Sequence, residues 1–312
     1  MLALSRKGGV LITNLAPLKR QISDRWIESD AVEFREKFNE HSFQVSHHLS
    51  NHPLFQLDEL MALAKRTRDN NPTRLYYDAG NIRVDQRWDS IPKAGFSIED
   101  AMRRIEDCGA WIVIKHAQED PAYRILLDKG LTELTSLAGD DLEPLIKQRD
   151  IILFITSPKR ITTYHIDREC NWILQIHGTK TLHVFDQNDR DVLPVTEVER
   201  FWAVDNNAPK YKPELQHRAR SYNLAPGVGV HVPVNAPHWV ENDNNVSVTL
   251  SVNFQFKDTI RANVHRANYF LRRLGMNPAG PGAGPFRDGL KNTVMTGAIR
   301  VRRFLQGANS PW

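Results

Sequence analysis

The segment Tyr164-His165-Ile166-Asp167 sets an imidazole and a carboxylate two residues apart. In a β-strand alternate side chains share a face, so the two groups project together, ~6.5–7 Å apart at the backbone. Converging on one ion, they would supply two of the three ligands of a 2-His-1-carboxylate site, the donor set that leaves open positions on Fe(II). A strand end with a solvated aspartate and a half-buried histidine carries the same pair, so the chemistry depends on a third ligand. Stretch 227–239, GVGVHVPVNAPHW, offers two: His231 inside a strand, and His238, which follows a proline-marked turn and opens the next strand.

The surrounding sequence supplies strands to hold such ligands. From residue 150 short β-branched and aromatic runs (IILFIT, TTYHID, WILQIHG, KTLHVFD, VGVHVPV, VSVTLSVNFQF) alternate with Gly, Pro and Asn joints. Many short strands with turn residues between them predict an antiparallel sandwich or barrel. The N-terminal third reads as short helices and loops. Asp58 to Asp69 carries Leu60, Met61, Leu63 and Ala64 at helical spacing, and Ser97-Ile-Glu-Asp starts a helix ending near Cys108. A buried strand follows at 110–115, AWIVIK, and Asp120-Pro121 caps a helix running towards Ala138. After Lys257 the pattern is helical again. Ile260, Val264, Ala267, Leu271 and Leu274 recur at 4-3-4-3 spacing before Gly275, and a Pro/Gly-rich link leads to a last helix with Leu290, Val294, Val301 and Leu305. The fold class is therefore α+β with a mainly β core. We expect an N-terminal region at 1–110, a β core at 111–257 and a helical segment at 258–312.

The chain has 312 residues, 41% hydrophobic and 25% charged, which excludes a largely disordered protein. No apolar run approaches the ~18–20 residues of a membrane span, and the first 19 residues lack the pattern of a secretory signal. With Cys108 and Cys170 alone there is no disulfide framework, so a reducing cytoplasm is the expected compartment. The net charge of +4 is uneven: 257–312 holds ten basic side chains against two acidic ones, leaving the rest at −4. No helix-turn-helix or other DNA-reading motif accompanies that tail, so we expect amphipathic helices with solvated charges and no nucleic-acid partner.

The segment from about 150 to 257 resembles the Jumonji-C (JmjC) and cupin-like (cupin 8) family of Fe(II)- and 2-oxoglutarate-dependent oxygenases. It is similar in particular to the branch containing the asparaginyl hydroxylase that inhibits hypoxia-inducible factor. Stretches 43–55 and 268–291 resemble bacterial cupin-like proteins often labelled jumonji transcription factors. The Pro-x-x-x-x-His pattern of cupins selects His238 over His231 as the third iron ligand beside His165 and Asp167. Thr162, three before His165, matches a hydroxyl that helps bind 2-oxoglutarate. Asn171, four after Asp167, matches an inward asparagine near the cosubstrate, and Lys180, thirteen after Asp167, matches the lysine that pairs with its distal carboxylate. Asn253, fifteen after His238, stands where the branch has asparagine. For the tyrosine that assists 2-oxoglutarate binding in that hydroxylase, Tyr76 and Tyr77 are candidates.

The resemblance implies a double-stranded β-helix (jelly roll), with Fe(II), 2-oxoglutarate and O2 as cofactor and cosubstrates. It implies hydroxylation of a protein side chain or small molecule, because related halogenases lack the carboxylate ligand that Asp167 provides. It implies a homodimer through C-terminal helices, where the 4-3 stripe from Ile260 to Leu274 would pack. Two other readings stand beside it: a non-catalytic cupin-like binding or regulatory protein, and a cupin metalloenzyme that does not use 2-oxoglutarate. Lys180 separates them. It lies an odd five residues beyond Gln175, and joins the face of Asn171 and Gln175 only if the Gly178 turn shifts the alternation. His47, His48 and His52 invite a second metal site, but Pro53 argues against helix at His52 and no acidic residue or cysteine is interleaved, so packing or capping is expected. Cys170 is expected to be a small buried hydrophobe.

Overall fold

Alternation of period two sorts the strand side chains onto two unlike surfaces, and the fold follows from that sorting. The computed structural model describes residues 25–93, 95–139 and 142–306; the stretch read for a secretory signal lies outside them. The strands are β1 Ile27–Glu28, β2 Phe43–His47, β3 Leu75–Ala79, β4 Ala110–Ile114, β5 Ile146–Thr156, β6 Ile161–His165, β7 Cys170–His177, β8 Lys180–Val184, β9 Arg220–Leu224, β10 Val228–Val232, β11 His238–Asn242 and β12 Ser247–Phe256. The helices are α1 Ala31–Lys37, α2 Leu57–Asn70, α3 Ile98–Arg103, α4 Pro121–Ala138, α5 Val195–Ala203, α6 Ile260–Arg273 and α7 Pro285–Gln306. Eight strands pair in the order β1-β2-β10-β7-β12-β5-β4-β3, and four in the order β6-β11-β8-β9. Every pairing between these strands is antiparallel.

On β12, Val248, Leu250, Val252 and Phe254 join the main core with Phe34 of α1, Leu60 and Leu63 of α2, and Leu131 and Leu134 of α4. The intervening Thr249 and Ser251 meet polar groups of β7 and β8 instead. On β7 the same split sends Cys170, Trp172, Leu174 and Ile176 to the helices, while Ile173 packs with Leu182, Val184, Val230 and Val240 between the sheets. The inner surface is thus part apolar and part polar, which a core built for stability alone would avoid. Cys170 is fully buried, as its sequence context predicts.

Strands β6, β7, β8, β10, β11 and β12 and helix α4 follow the sequence expectation; β5 starts at Ile146, earlier than expected, and α5 and β9 fall in the stretch 187–227, for which no element was expected. The N-terminal third departs from it: besides helices it adds β1 and β2 at one edge of the large sheet and β3 at the other. The two-residue β1 is too short to show a period and β3 has no clear alternation, whereas β2, FQVSH, alternates buried and exposed side chains and was passed over. Helix α3 stops at Arg103, because 104–109 tighten into a turn ending at Gly109, with φ of 63°. The 4-3 stripe is also redistributed. Val264 and Ala267 of α6 are buried, with α6 packed on both α5 and α7, whereas Leu274 is 76% exposed. Leu290, Val294, Val301 and Leu305 of α7 all face outward. Among the described residues no helix is long and apolar enough to cross a membrane.

Candidate metal centre and its surroundings

Strands β6 and β11 are neighbours in the small sheet, with His165 directly opposite His238. The register slips between them, so that Val240 pairs with Thr162, not Thr163. Directly paired residues share a sheet face, and His238 and Val240 share one by alternation. Thr162 therefore lies on the face of His165 although three residues separate them. The turn from Pro233 to Pro237 delivers His238. It holds Asn235 in the left-handed region, φ 62°, and the Asn235 amide donates to the Asp167 carbonyl at 3.0 Å, tying the single acidic member of the group to the same turn.

The donor atoms of His165, Asp167 and His238 lie within 4.8 Å of one another. His165 Nε2 is 3.9 Å and His238 Nε2 3.5 Å from Asp167 Oδ2. Each Nδ1 faces a backbone carbonyl, that of Thr163 at 2.7 Å and that of Ala236 at 2.9 Å. A carbonyl can only accept, so each Nδ1 carries its proton and each Nε2 keeps its lone pair towards the shared space. Burial first, and the nearby His165 second, hold the His238 pKa down to about 4 against the pull of Asp167, which keeps the ring a neutral donor. Neutral imidazoles beside a carboxylate are what a divalent cation requires.

Lys180 begins β8 after Gly178, whose φ of +72° and contact with Val246 leave no room for a Cβ. That turn moves the chain from the large sheet to the small one, so alternation restarts. The ammonium then points between the sheets, donating to the Thr249 hydroxyl, which donates to Gln175 Oε1 at 3.0 Å. Among the described residues no acidic group compensates it: burial draws its pKa from 10.5 to about 7. The outward orientation that would remove the cosubstrate reading is absent. Asn171 and Asn253 pair across β7 and β12, and Ser251 donates to the Oδ1 of both, at 2.8 and 3.1 Å. Asn253 Nδ2 is buried without a partner, a donor held for an acceptor the protein does not supply.

Other sequence candidates are placed elsewhere. His231 is buried under Trp172, accepts from the Asn39 amide through Nε2 at 3.0 Å and sets Nδ1 against the Asn171 carbonyl, so both its nitrogens are used. Tyr76 donates to Asp78, which forms a buried ion pair with Arg160; Tyr77 packs against the main core. His47 Nδ1 accepts from the Leu49 amide, His52 Nδ1 from the Leu54 amide, and His48 pairs with Glu28, which fits packing and capping. Sequence reasoning passed over Thr249 and Ser251, although the alternation T-x-S-x-N inside an apolar strand marks one polar face. It also passed over Asn235, whose role depends on a left-handed turn.

No family model and no curated protein sequence matches the chain. Solved structures do. The Escherichia coli ribosomal oxygenase YcfD aligns at 14% identity over 91% of this chain and 68% of that one, with a TM-score of 0.50. An X-ray structure of the same E. coli protein gives 15% identity, 91% and 69% coverage and a TM-score of 0.53. Its complex with cobalt and 2-oxoglutarate gives 16% identity, 88% and 67% coverage and a TM-score of 0.52. The chain therefore has the fold of that oxygenase.

Proposed function

We propose that the protein is an Fe(II)- and 2-oxoglutarate-dependent oxygenase, a hydroxylase built on a double-stranded β-helix. The carrying observation is the meeting of His165, Asp167 and His238 donor atoms within 4.8 Å, both imidazoles fixed by backbone carbonyls. The buried, uncompensated Lys180 in the same inter-sheet space adds the cosubstrate. A YcfD structure of the same fold contains cobalt and 2-oxoglutarate, which supports this pairing of metal and dicarboxylate.

His165, Asp167 and His238 would hold the metal, which with 2-oxoglutarate and O2 would supply oxidising chemistry that yields succinate, carbon dioxide and a hydroxylated product. Lys180 sits at the start of β8, four residues from Val184, the partner of His238; the two positions are ~13 Å apart along the strands. A dicarboxylate in that gap would pair one carboxylate with the Lys180 ammonium and turn the other towards the metal that His165, Asp167 and His238 would hold. The Thr162 hydroxyl and the unpaired Asn253 Nδ2 would donate to it. Leu182, Val184, Val230 and Val240 exclude water around it. Incubation with Fe(II) and 2-oxoglutarate is expected to form succinate, and chelation to stop it. A metal-loaded protein that neither binds 2-oxoglutarate nor forms succinate ends this reading.

A second copy of the chain covers the outer face of α7. Phe286 is 85% and Phe304 89% exposed there, with Leu290, Val294, Val301 and Leu305 along the same helix and Leu274 at the end of α6. Contiguous exposed apolar surface of this kind belongs at an interface. Leu290→Glu with Val294→Glu is expected to turn a dimer into a soluble monomer by light scattering. Wild-type protein that is already monomeric at tens of micromolar removes the dimer.

A further inference from the structure

A cavity of about 540 Å³ opens beside the metal-site turn, outside the residues assigned to metal and cosubstrate. Arg168, which follows Asp167 in the chain, lines it, as do Asn235 of the turn and Gln255, two residues beyond Asn253. Its walls also carry Lys147, Arg190, Arg261, Arg266 and Arg300, against Glu40 and Asp258 as acidic lining groups.

The hydrogen bonds of Arg168, Arg190 and Arg266 run to neutral acceptors, and the Glu169 carboxylate, which accepts from Gln255, acts on Arg168 through space. Arg168 donates to the Phe201 carbonyl and Asn206 Oδ1, Arg266 to the Trp202 carbonyl and Asn263 Oδ1, and Arg190 to the carbonyls of Gln187 and Leu193. Arg168 and Arg266 flank the Trp202 ring at 5.3 and 5.1 Å, two like charges gathered around one indole. Burial, and then Arg168 and Arg303, draw the Arg266 pKa down to about 10. Arg168 Nε and Trp202 Nε1 are buried donors without acceptors, and Asn235 Oδ1 is a buried acceptor without a donor. A wall of buried donors and guanidinium groups that outnumber the nearby carboxylates (Glu40 and Asp258 in the lining, Glu169 beside Arg168) is costly when empty and favourable around a multiply charged anion. Guanidinium forks match phosphate oxygens, and the lone Asn235 oxygen suits a hydroxyl.

We infer that this cavity binds a phosphate-bearing small molecule that also carries a hydroxyl, placed to present it to the metal site as the oxygenase substrate. A volume of about 540 Å³ suits a small molecule better than a polymer. The placement as substrate rests on the proposed oxygenase reading; the anion site does not.

The test titrates inorganic pyrophosphate into the full-length protein by calorimetry, with a single-stranded RNA oligonucleotide and a poly-glutamate peptide as parallel arms. Wild type is expected to bind pyrophosphate. Arg190→Glu with Arg261→Glu, both exposed positions, is expected to weaken it roughly tenfold or more while 2-oxoglutarate affinity stays unchanged. Arg266→Lys keeps the charge but loses the fork, and is expected to weaken binding by a smaller factor. No pyrophosphate binding, equal binding by the rim variant, or preference for the RNA or the peptide overturns the inference. Succinate formation without pyrophosphate binding sinks this inference alone. Pyrophosphate binding in a protein that neither binds 2-oxoglutarate nor forms succinate leaves the anion site and removes its placement as substrate.

Discussion

Replacing His238 with alanine is expected to weaken cobalt(II) binding by well over ~100-fold, more than the ~10–100-fold that loss of a ligand's outer hydrogen-bond partner costs. Succinate formation should vanish with it. The argument is geometric: His238 Nε2 stands 3.5 Å from Asp167 Oδ2 with its lone pair freed by the Ala236 carbonyl, and removing it leaves two donors where three converge. His231 supplies the contrast. It is equally buried and lies one strand earlier, but its nitrogens face the Asn39 amide and the Asn171 carbonyl. His231→Phe should therefore leave cobalt affinity unchanged while lowering stability, since an Asn39 N–H left unsatisfied costs about 1–3 kcal/mol. Visible absorbance of bound cobalt and a denaturant melt read the two effects separately. Equal cobalt affinity for wild type and His238→Ala would end the metal assignment.

That contrast shows which parts of the site the sequence carries. His165 and Asp167 are legible because period-two alternation is local, and a two-residue spacing on a strand implies one face. His238 is legible only through its turn, because its pairing with β6 spans more than seventy residues. Thr162 shares the ligand face through a register slip that alternation alone would deny. Lys180 was ambiguous for a related reason. Counting residues from Gln175 assumes one continuous sheet, whereas the Gly178 turn carries the chain into the other. In the fold, α4 was readable from an aspartate cap and a first-turn proline, whereas β1 and β3 take their structure from the edges they complete. The 4-3 stripe from Ile260 to Leu274 reports that something packs there, not which chain supplies it: Val264 and Ala267 are buried where α6 packs on α5 and α7, and Leu274 is exposed.

Lys180→Ala is expected to weaken 2-oxoglutarate binding about 30-fold or more, since losing a charge-assisted bond to a buried carboxylate costs ~2–5 kcal/mol. Metal affinity should stay nearly intact, because the ammonium touches Thr249 and none of the three candidate ligands. The same lysine predicts a pH dependence whose sign is fixed by its surroundings. Burial lowers its pKa from 10.5 to about 7, so the ligand-free protein holds Lys180 charged below that pH and neutral above it. A dicarboxylate binds the charged form. Binding above pH 7 must therefore take up a proton, and affinity should fall by up to about tenfold per pH unit there and be flat below. Stability moves the other way. Between about 7 and 10.5 the unfolded chain holds more of this proton than the folded one, so the cost of burying this group shrinks and the fold gains stability as pH rises. Loss of 2-oxoglutarate affinity at high pH thus cannot be unfolding caused by Lys180. Arginine stays protonated across this range, so Lys180→Arg should flatten the profile even if its bulk lowers affinity throughout. Calorimetry from pH 6 to 9 in buffers of different ionisation enthalpy counts the proton directly. A wild-type profile without slope, or alanine and lysine proteins of equal affinity, would move the cosubstrate away from β8 and leave the metal site standing alone.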